Sequence, residues 1–131
     1  MIEIDFAKEI LAMVRAFLLL GMRTQPIYRI ILSRLYYAAH HVGRLMLRNV
    51  GLAPEQWRGD VHRRVLDELR RRYVDTGVMN RDAWEALWDL RQLRIRADYE
   101  LFATIRNRDV TRAINFFEAY LDECCRVLGV I

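Results

Sequence analysis

The stretch PIYRIILSRLYYAAHHVGRLMLRN, residues 26–49, decides the fold. Pro26 suits the first turn of a helix, where its missing N–H costs nothing, and no other proline follows before Gly51. Apolar side chains recur along the stretch at helical spacing, namely Ile27, Ile31, Ala38, Val42 and Leu45. The stretch therefore predicts one long helix at the centre of the protein.

Four more helices are predicted around it from cap residues and apolar spacing. They are expected over 4–20 with Asp5 as cap, from the cap Asp60 to before Gly77, from the cap Asn80 to a stop between Asp98 and Arg106, and over 109–128 before Gly129. The chain has only two prolines and six glycines, and no alternation typical of strands. We expect an all-α, up-and-down bundle of four or five helices in a single domain, residues 1–131.

The charge pattern favours an anionic partner only weakly. The formal charge is +4, and Lys8 is the only lysine among 21 basic side chains, so arginine supplies nearly all the positive charge. Arginine matches carboxylates and phosphates in forked geometry, but 17 carboxylates are interleaved with these arginines. The two cysteines, Cys124 and Cys125, are adjacent and form neither a disulfide framework nor a metal-ligand set. We expect a cytoplasmic protein with no membrane span, no metal and no cofactor.

Three polar residues interrupt the predicted apolar faces. Arg94 falls among Leu87, Leu90, Ala97 and Leu101 of the fourth helix. Arg34 and His41 fall together at one edge of the apolar stripe of the central helix. Two readings follow: a structural ion network, with Asp98 four residues after Arg94 as the obvious partner, or a site for an anion.

Two segments carry a family resemblance: SRLYYAAHHVGRLML at 33–47 and LRIRADYE at 93–100. Together they resemble the HEPN domain family, and more narrowly its small stand-alone prokaryotic members. The first segment matches at Arg34, Tyr36, Tyr37, Ala38 and His41, with His40 where an aromatic residue is usual. The second matches at Arg94, Ala97, Asp98 and Tyr99.

The resemblance implies a function as well as a helical bundle. It implies a homodimer, encoded beside a minimal nucleotidyltransferase as a toxin–antitoxin pair, with RNA as the substrate. Carried onto this chain, it gives Arg94 as a candidate catalytic residue, and His41 joins it as a candidate base from the neighbouring helix. Candidate ligand-binding residues are Arg34, Tyr37, Arg91, Asp98 and Tyr99.

The chain departs from the ribonuclease members of that family at the position of their histidine, and it has Ile95 where a polar residue is common. Those members place a His four to six residues after the Arg, and here Tyr99 stands in place of that His. A tyrosine, with a pKa near 10, is a poor substitute for histidine in moving the 2′-hydroxyl proton of RNA. His41 could take that role only if it faces Arg94, and His62 is expected on a solvated basic face.

Three hypotheses follow. The first is a dimer that binds RNA or a nucleotide phosphate and a nucleotidyltransferase partner. The second is a metal-independent endoribonuclease toxin that uses Arg94 and His41. The third is a structural or interaction protein with a buried network of Arg34, His41, Arg94 and Asp98. Outside these residues, Trp84 and Trp88 lie one helical turn apart and are expected in the core or a dimer interface, with base stacking as the alternative.

Overall fold

The computed structural model describes residues 1–130, which form an all-α helical bundle, as predicted. Its five α-helices are α1 (Ile2–Leu19), α2 (Gln25–Arg48), α3 (Val61–Leu69), α4 (Arg81–Tyr99) and α5 (Asn107–Leu128). A short 3₁₀ turn at Pro54–Gln56 precedes α3, and a π-helical turn at Arg70–Val74 extends it.

The central helix is α2, which packs against each of the other four helices. One cluster of buried side chains runs from Ile4 on α1 to Cys124 on α5. At Gly43, side chains of α3 and α5 pack closely against α2. A Cβ at this position would lie 3.1 Å from both the Tyr120 hydroxyl oxygen and a methyl carbon of Val65. The Tyr120 hydroxyl donates to the carbonyl of Ala39 at 3.0 Å, which ties α5 to this point of α2.

Most predicted helix ends are confirmed. Asp60 accepts a hydrogen bond from the backbone N–H of Arg63, and Asn80 accepts one from that of Asp82. Gly129 ends α5 in the left-handed conformation, with φ of 71°. The predicted cap Asp5 is wrong, because α1 already begins at Ile2 and its first turn contains that residue.

The predicted apolar face of α2 is confirmed only in part. Ile31, Ala38 and Val42 of the predicted stripe are buried, but Ile27 and Leu45 are half-buried. Arg34 is exposed, and His41 is half-buried rather than part of the core. Outside the stripe, Leu32, Leu35 and Met46 are fully buried. Because four helices surround α2, its buried sector is much wider than a single stripe and is centred elsewhere.

The end of α4 differs from the prediction at one residue. The helix stops at Tyr99, so Leu101 lies beyond it and is 80% exposed instead of facing the core. The guanidinium of Arg29 on α2 holds this turn by donating to the carbonyl oxygens of Ala97, at 2.9 Å, and of Ala103. Arg29 thereby satisfies carbonyl groups that the end of the helix leaves unpaired.

None of the helices within residues 1–130 combines the length and the apolar character that crossing a bilayer requires. Both cysteines are free; Cys124 is buried in the core and Cys125 is half-buried beside it.

Candidate functional site

The centre of the candidate site is Arg94, which α4 holds at the surface of the core with its side chain 22% exposed. Its Nε lies 2.9 Å from Oδ2 of Asp98, one turn further along the helix, so the predicted intrahelical pair is present. Ser33 on α2 donates to the same carboxylate oxygen at 3.3 Å. The Arg94–Asp98 pair therefore lies at the contact between α2 and α4, open to water on one side.

Two tyrosines lie beside the guanidinium of Arg94. Its central carbon is 5.6 Å from the ring centroid of Tyr36, which is buried, and 5.3 Å from that of Tyr99, which is 69% exposed. Both distances are within the range of cation–π attraction. The two rings restrict where the guanidinium can lie.

Two histidines, His40 on α2 and His62 in the first turn of α3, form the inner part of the site. Their ring centroids are 4.3 Å apart. The Tyr36 hydroxyl and Nδ1 of His62 are 2.8 Å apart and share a hydrogen bond, and Nε of Arg44 donates to Nε2 of His40 at 2.9 Å. The expectation that His62 lies on a solvated face is wrong, because α3 packs this ring, half-buried, against α2.

Burial and neighbouring arginines keep both histidines uncharged at neutral pH. Burial, followed by the charges of His62 and Arg44, lowers the pKa of His40 from 6.5 to about 3. Burial, followed by Arg94 and Arg91, also lowers the pKa of His62. The site thus places neutral imidazoles beside permanently charged guanidinium groups.

The phenol of Tyr36 is held in its neutral form as well. Burial raises its pKa from 10.0 to about 12, against the lowering effect of Arg91 and Arg94. A neutral phenol can donate or accept in its hydrogen bond with His62.

The second arginine of the site, Arg91, is nearly buried and poorly paired. Its side chain is 15% exposed, and its Nη2 lies 3.5 Å from Oδ1 of Asp60, the residue that caps α3. Within residues 1–130, its buried Nε has no hydrogen-bond partner. A buried N–H group without a partner is costly, so Arg91 is a group that a bound acceptor would satisfy.

The predicted site residues separate into two groups. Arg91, Arg94, Asp98 and Tyr99 lie together in the last turns of α4. Arg34, Tyr37 and His41 lie together on α2: the Arg34 guanidinium is 4.4 Å from the Tyr37 ring centroid, and the Tyr37 and His41 rings are 4.6 Å apart.

His41 faces α1 rather than α4. Ile2, Glu3 and Phe6 of α1 line a cavity of about 290 Å³ together with Tyr37 and His41. Within residues 1–130, no hydrogen bond, ion pair or ring contact joins His41 to Arg94. Burial and Arg44 lower the pKa of His41, and Glu3 opposes that shift. The condition that His41 faces Arg94 is therefore not met.

Four residues of the site are not among those predicted from the sequence: Tyr36, His40, Arg44 and His62. The first three recur at intervals of four residues, which places them on one face of α2. That spacing is the sequence signal for them. His62 has no such signal, because only the packing of α3 on α2 brings it to Tyr36.

The described residues, 1–130, contain no group of three or more His, Cys, Asp or Glu side chains arranged to hold a metal ion. No protein-family model matches the chain, and a search of curated proteins finds no match.

Proposed function

We propose that the protein binds RNA or a nucleotide phosphate at Arg91, Arg94 and His62, which we call the α4 arginine site. The observation that carries the proposal is Arg91, nearly buried with a buried Nε that has no partner within residues 1–130. A protein interior rarely leaves a guanidinium N–H unsatisfied. Phosphate, like carboxylate, offers paired oxygens that match the forked donors of a guanidinium group.

The charge and the donors of the site support the same ligand. Each arginine has five N–H donors, and the ion pairs described above engage Nε of Arg94 and Nη2 of Arg91. The carboxylates of Asp60 and Asp98 hold the two guanidinium groups at the edge of the site. A neutral His62 has one N–H, and when its Nδ1 accepts from the Tyr36 hydroxyl, its Nε2–H is the donor that can reach a phosphate oxygen.

A metal-independent endoribonuclease is the second candidate, favoured by the lowered pKa of His62 beside Arg91 and Arg94. A neutral imidazole can accept the proton of the 2′-hydroxyl, and the arginines can stabilise the negative charge on phosphorus oxygens. In this scheme His62, rather than His41, is the general base. The loss of histidine at Tyr99 is then no obstacle, since the base comes from another helix.

Two partners are proposed from the resemblance of the 33–47 and 93–100 segments to HEPN proteins. They are a second copy of the chain and a minimal nucleotidyltransferase, in a cytoplasmic toxin–antitoxin pair. Leu101 and Phe102, 80% and 88% exposed, lie two and three residues after Tyr99 and support a protein contact at this end of α4. Light scattering of the wild type and of Phe102→Ser tests the dimer: a wild-type dimer that the variant weakens is expected, and a wild-type monomer contradicts it.

The test of phosphate binding uses labelled tRNA and single-stranded RNA in excess EDTA. Wild type, Arg94→Ala and His62→Ala are compared for retardation and for cleavage, with His41→Ala as the matched histidine control. We expect wild type to retard the RNA, Arg94→Ala and His62→Ala to weaken this retardation, and His41→Ala to leave it unchanged. If wild type also cleaves the RNA and His62→Ala does not, the ribonuclease is supported. If wild type neither retards nor cleaves either RNA, the proposal is contradicted.

A further inference from the structure

A cleft of about 400 Å³ lies between α3 and α4, lined by Trp84, Trp88 and Asp89 of α4 and by Arg63 and Arg70 beside them. We call this the indole cleft. The expectation that the two tryptophans lie in the core is met only in part, because both are half-buried and border this open space.

The two indoles form a nearly parallel pair. Their ring centroids are 6.1 Å apart and their planes differ by 28°. Nε1 of Trp84 donates to the carbonyl of Leu66 at 2.8 Å, which fixes the orientation of that ring against α3. The Arg70 guanidinium lies 5.9 Å from the Trp84 ring centroid. The cleft therefore has a rigid aromatic wall with a cation at one side.

The indole cleft and the α4 arginine site have residues on the same face of α4. Trp84, Trp88 and Arg91 follow each other at intervals of four and three residues, so they lie on one face of α4. Trp88 and Arg91 are separated by about 4.5 Å along the helix axis, which is short enough for a base and the phosphate next to it to contact both. Asp60 contacts residues of both sites. Its Oδ1 accepts from the backbone N–H of Arg63, which lines the cleft, and lies 3.5 Å from Nη2 of Arg91.

We propose that the indole cleft is a nucleobase subsite of a single-stranded RNA whose adjacent phosphate occupies the α4 arginine site. This inference rests on the proposed function. A base stacks on the Trp84–Trp88 pair while Arg91 and Arg94 hold the phosphate next to it, so the two sites read consecutive parts of one strand. Stacking on aromatic side chains is the usual way in which proteins hold unpaired bases.

The carboxylates of the cleft decide which part of the nucleotide enters it. Asp89 and Glu85 line the cleft, and Glu85 is paired with Arg81 at 3.2 Å. A carboxylate repels phosphate but accepts hydrogen bonds from the exocyclic amino group of a base. The cleft therefore takes the base rather than the phosphate, and it favours adenine, cytosine and guanine over uracil, which has no amino group.

The experiment measures binding of short oligoadenylate, oligouridylate and a base-free ribose-phosphate oligomer of the same length. Trp88→Leu is the test variant, Trp88→Phe keeps an aromatic ring, and Arg94→Ala removes the phosphate contact. Phe116→Leu on α5 is the matched control, because Phe116 is also half-buried with an arginine, Arg112, 5.6 Å from its ring centroid. Circular dichroism confirms that each variant folds.

The expected pattern separates the two sites. Trp88→Leu weakens oligoadenylate binding about five-fold or more, as the loss of one stacked base predicts, and leaves the base-free oligomer unchanged. Trp88→Phe and Phe116→Leu stay close to wild type, and wild type prefers oligoadenylate to oligouridylate. Equal affinity of Trp88→Leu and wild type for oligoadenylate, with Arg94→Ala weaker, overturns the subsite and leaves the proposed function standing. If wild type binds none of the three oligomers, both fail.

Discussion

The hydroxyl of Tyr36 on α2 and Nδ1 of His62 on α3 are 2.8 Å apart. This hydrogen bond fixes the ring of His62 next to His40, and it joins the central helix to the first turn of α3. The central guanidinium carbon of Arg94 lies 5.6 Å from the centroid of the Tyr36 ring. Tyr36 therefore touches both the imidazole and the guanidinium of the proposed phosphate site.

Tyr36→Phe tests this relationship. The ring is 2% exposed and remains in place, but His62 loses its hydrogen-bond partner, so the free energy of unfolding is expected to fall by about 1 kcal/mol in urea denaturation. Tyr99→Phe is the matched control, because its exposed hydroxyl contributes little. Equal unfolding free energies for the two variants would show that the Tyr36–His62 bond does not stabilise the site.

Asp98→Ala separates a structural network from a binding site. The side chains of Asp98 and Arg94 are 27% and 22% exposed, so water screens their ion pair, and we expect a loss of about 1 kcal/mol or less in the free energy of unfolding. RNA binding is expected to tighten, because a negative charge next to Arg94 is removed. Glu118→Ala on α5, which removes the partner of Arg15 in a surface ion pair at 2.8 Å, serves as control. A loss of several kcal/mol would instead show that the Arg94–Asp98 pair has a structural role.

Acid is expected to destabilise the protein through its histidines. The pKa of His40 is about 3 in the folded protein and 6.5 in the unfolded chain, so between these values the unfolded state binds more protons. Stability is therefore complete above pH 6.5 and falls as the pH drops toward 3. His41 and His62, whose pKa values are also lowered, act in the same direction.

His40→Gln measures the share of His40 in that loss. Glutamine can accept from Arg44 but does not titrate. Going from about pH 7 to about pH 4.5, wild type is expected to lose roughly 2 kcal/mol more unfolding free energy than the variant. Urea denaturation at the two pH values gives this difference directly. Identical losses would mean that His40 titrates normally in the folded protein.

The helices could be predicted from the sequence because their ends are set locally. Asp60, Asn80 and Gly129 each act on backbone groups within three residues, so composition and spacing reveal them. The Arg94–Asp98 pair is local in the same sense, since one turn of a single helix forms it.

The rest of the site could not be predicted, because it depends on how α2 is rotated among its neighbours. The apolar stripe that includes Ile27 and Leu45 predicted Arg34 and His41 at the edge of the core. The buried part of α2 is instead wider and centred elsewhere, because a helix covered by four others buries residues on most of its sides. His40 is 4% exposed for that reason. His62 reaches Tyr36 only through the packing of α3, at a separation of 26 residues in the chain, which no periodicity shows.

The most direct test of the central claim is the salt dependence of RNA affinity for wild type, Arg91→Ala and the control Arg15→Ala, whose side chain on α1 is 52% exposed. Between about 50 and 200 mM salt, the logarithm of the binding constant falls in proportion to the number of phosphates neutralised. The α4 arginine site predicts that Arg91→Ala weakens binding about five- to ten-fold and reduces the magnitude of the salt slope by about 1, while Arg15→Ala changes neither. Arg91→Ala with the affinity and slope of wild type would contradict phosphate binding at Arg91 and with it the proposed function.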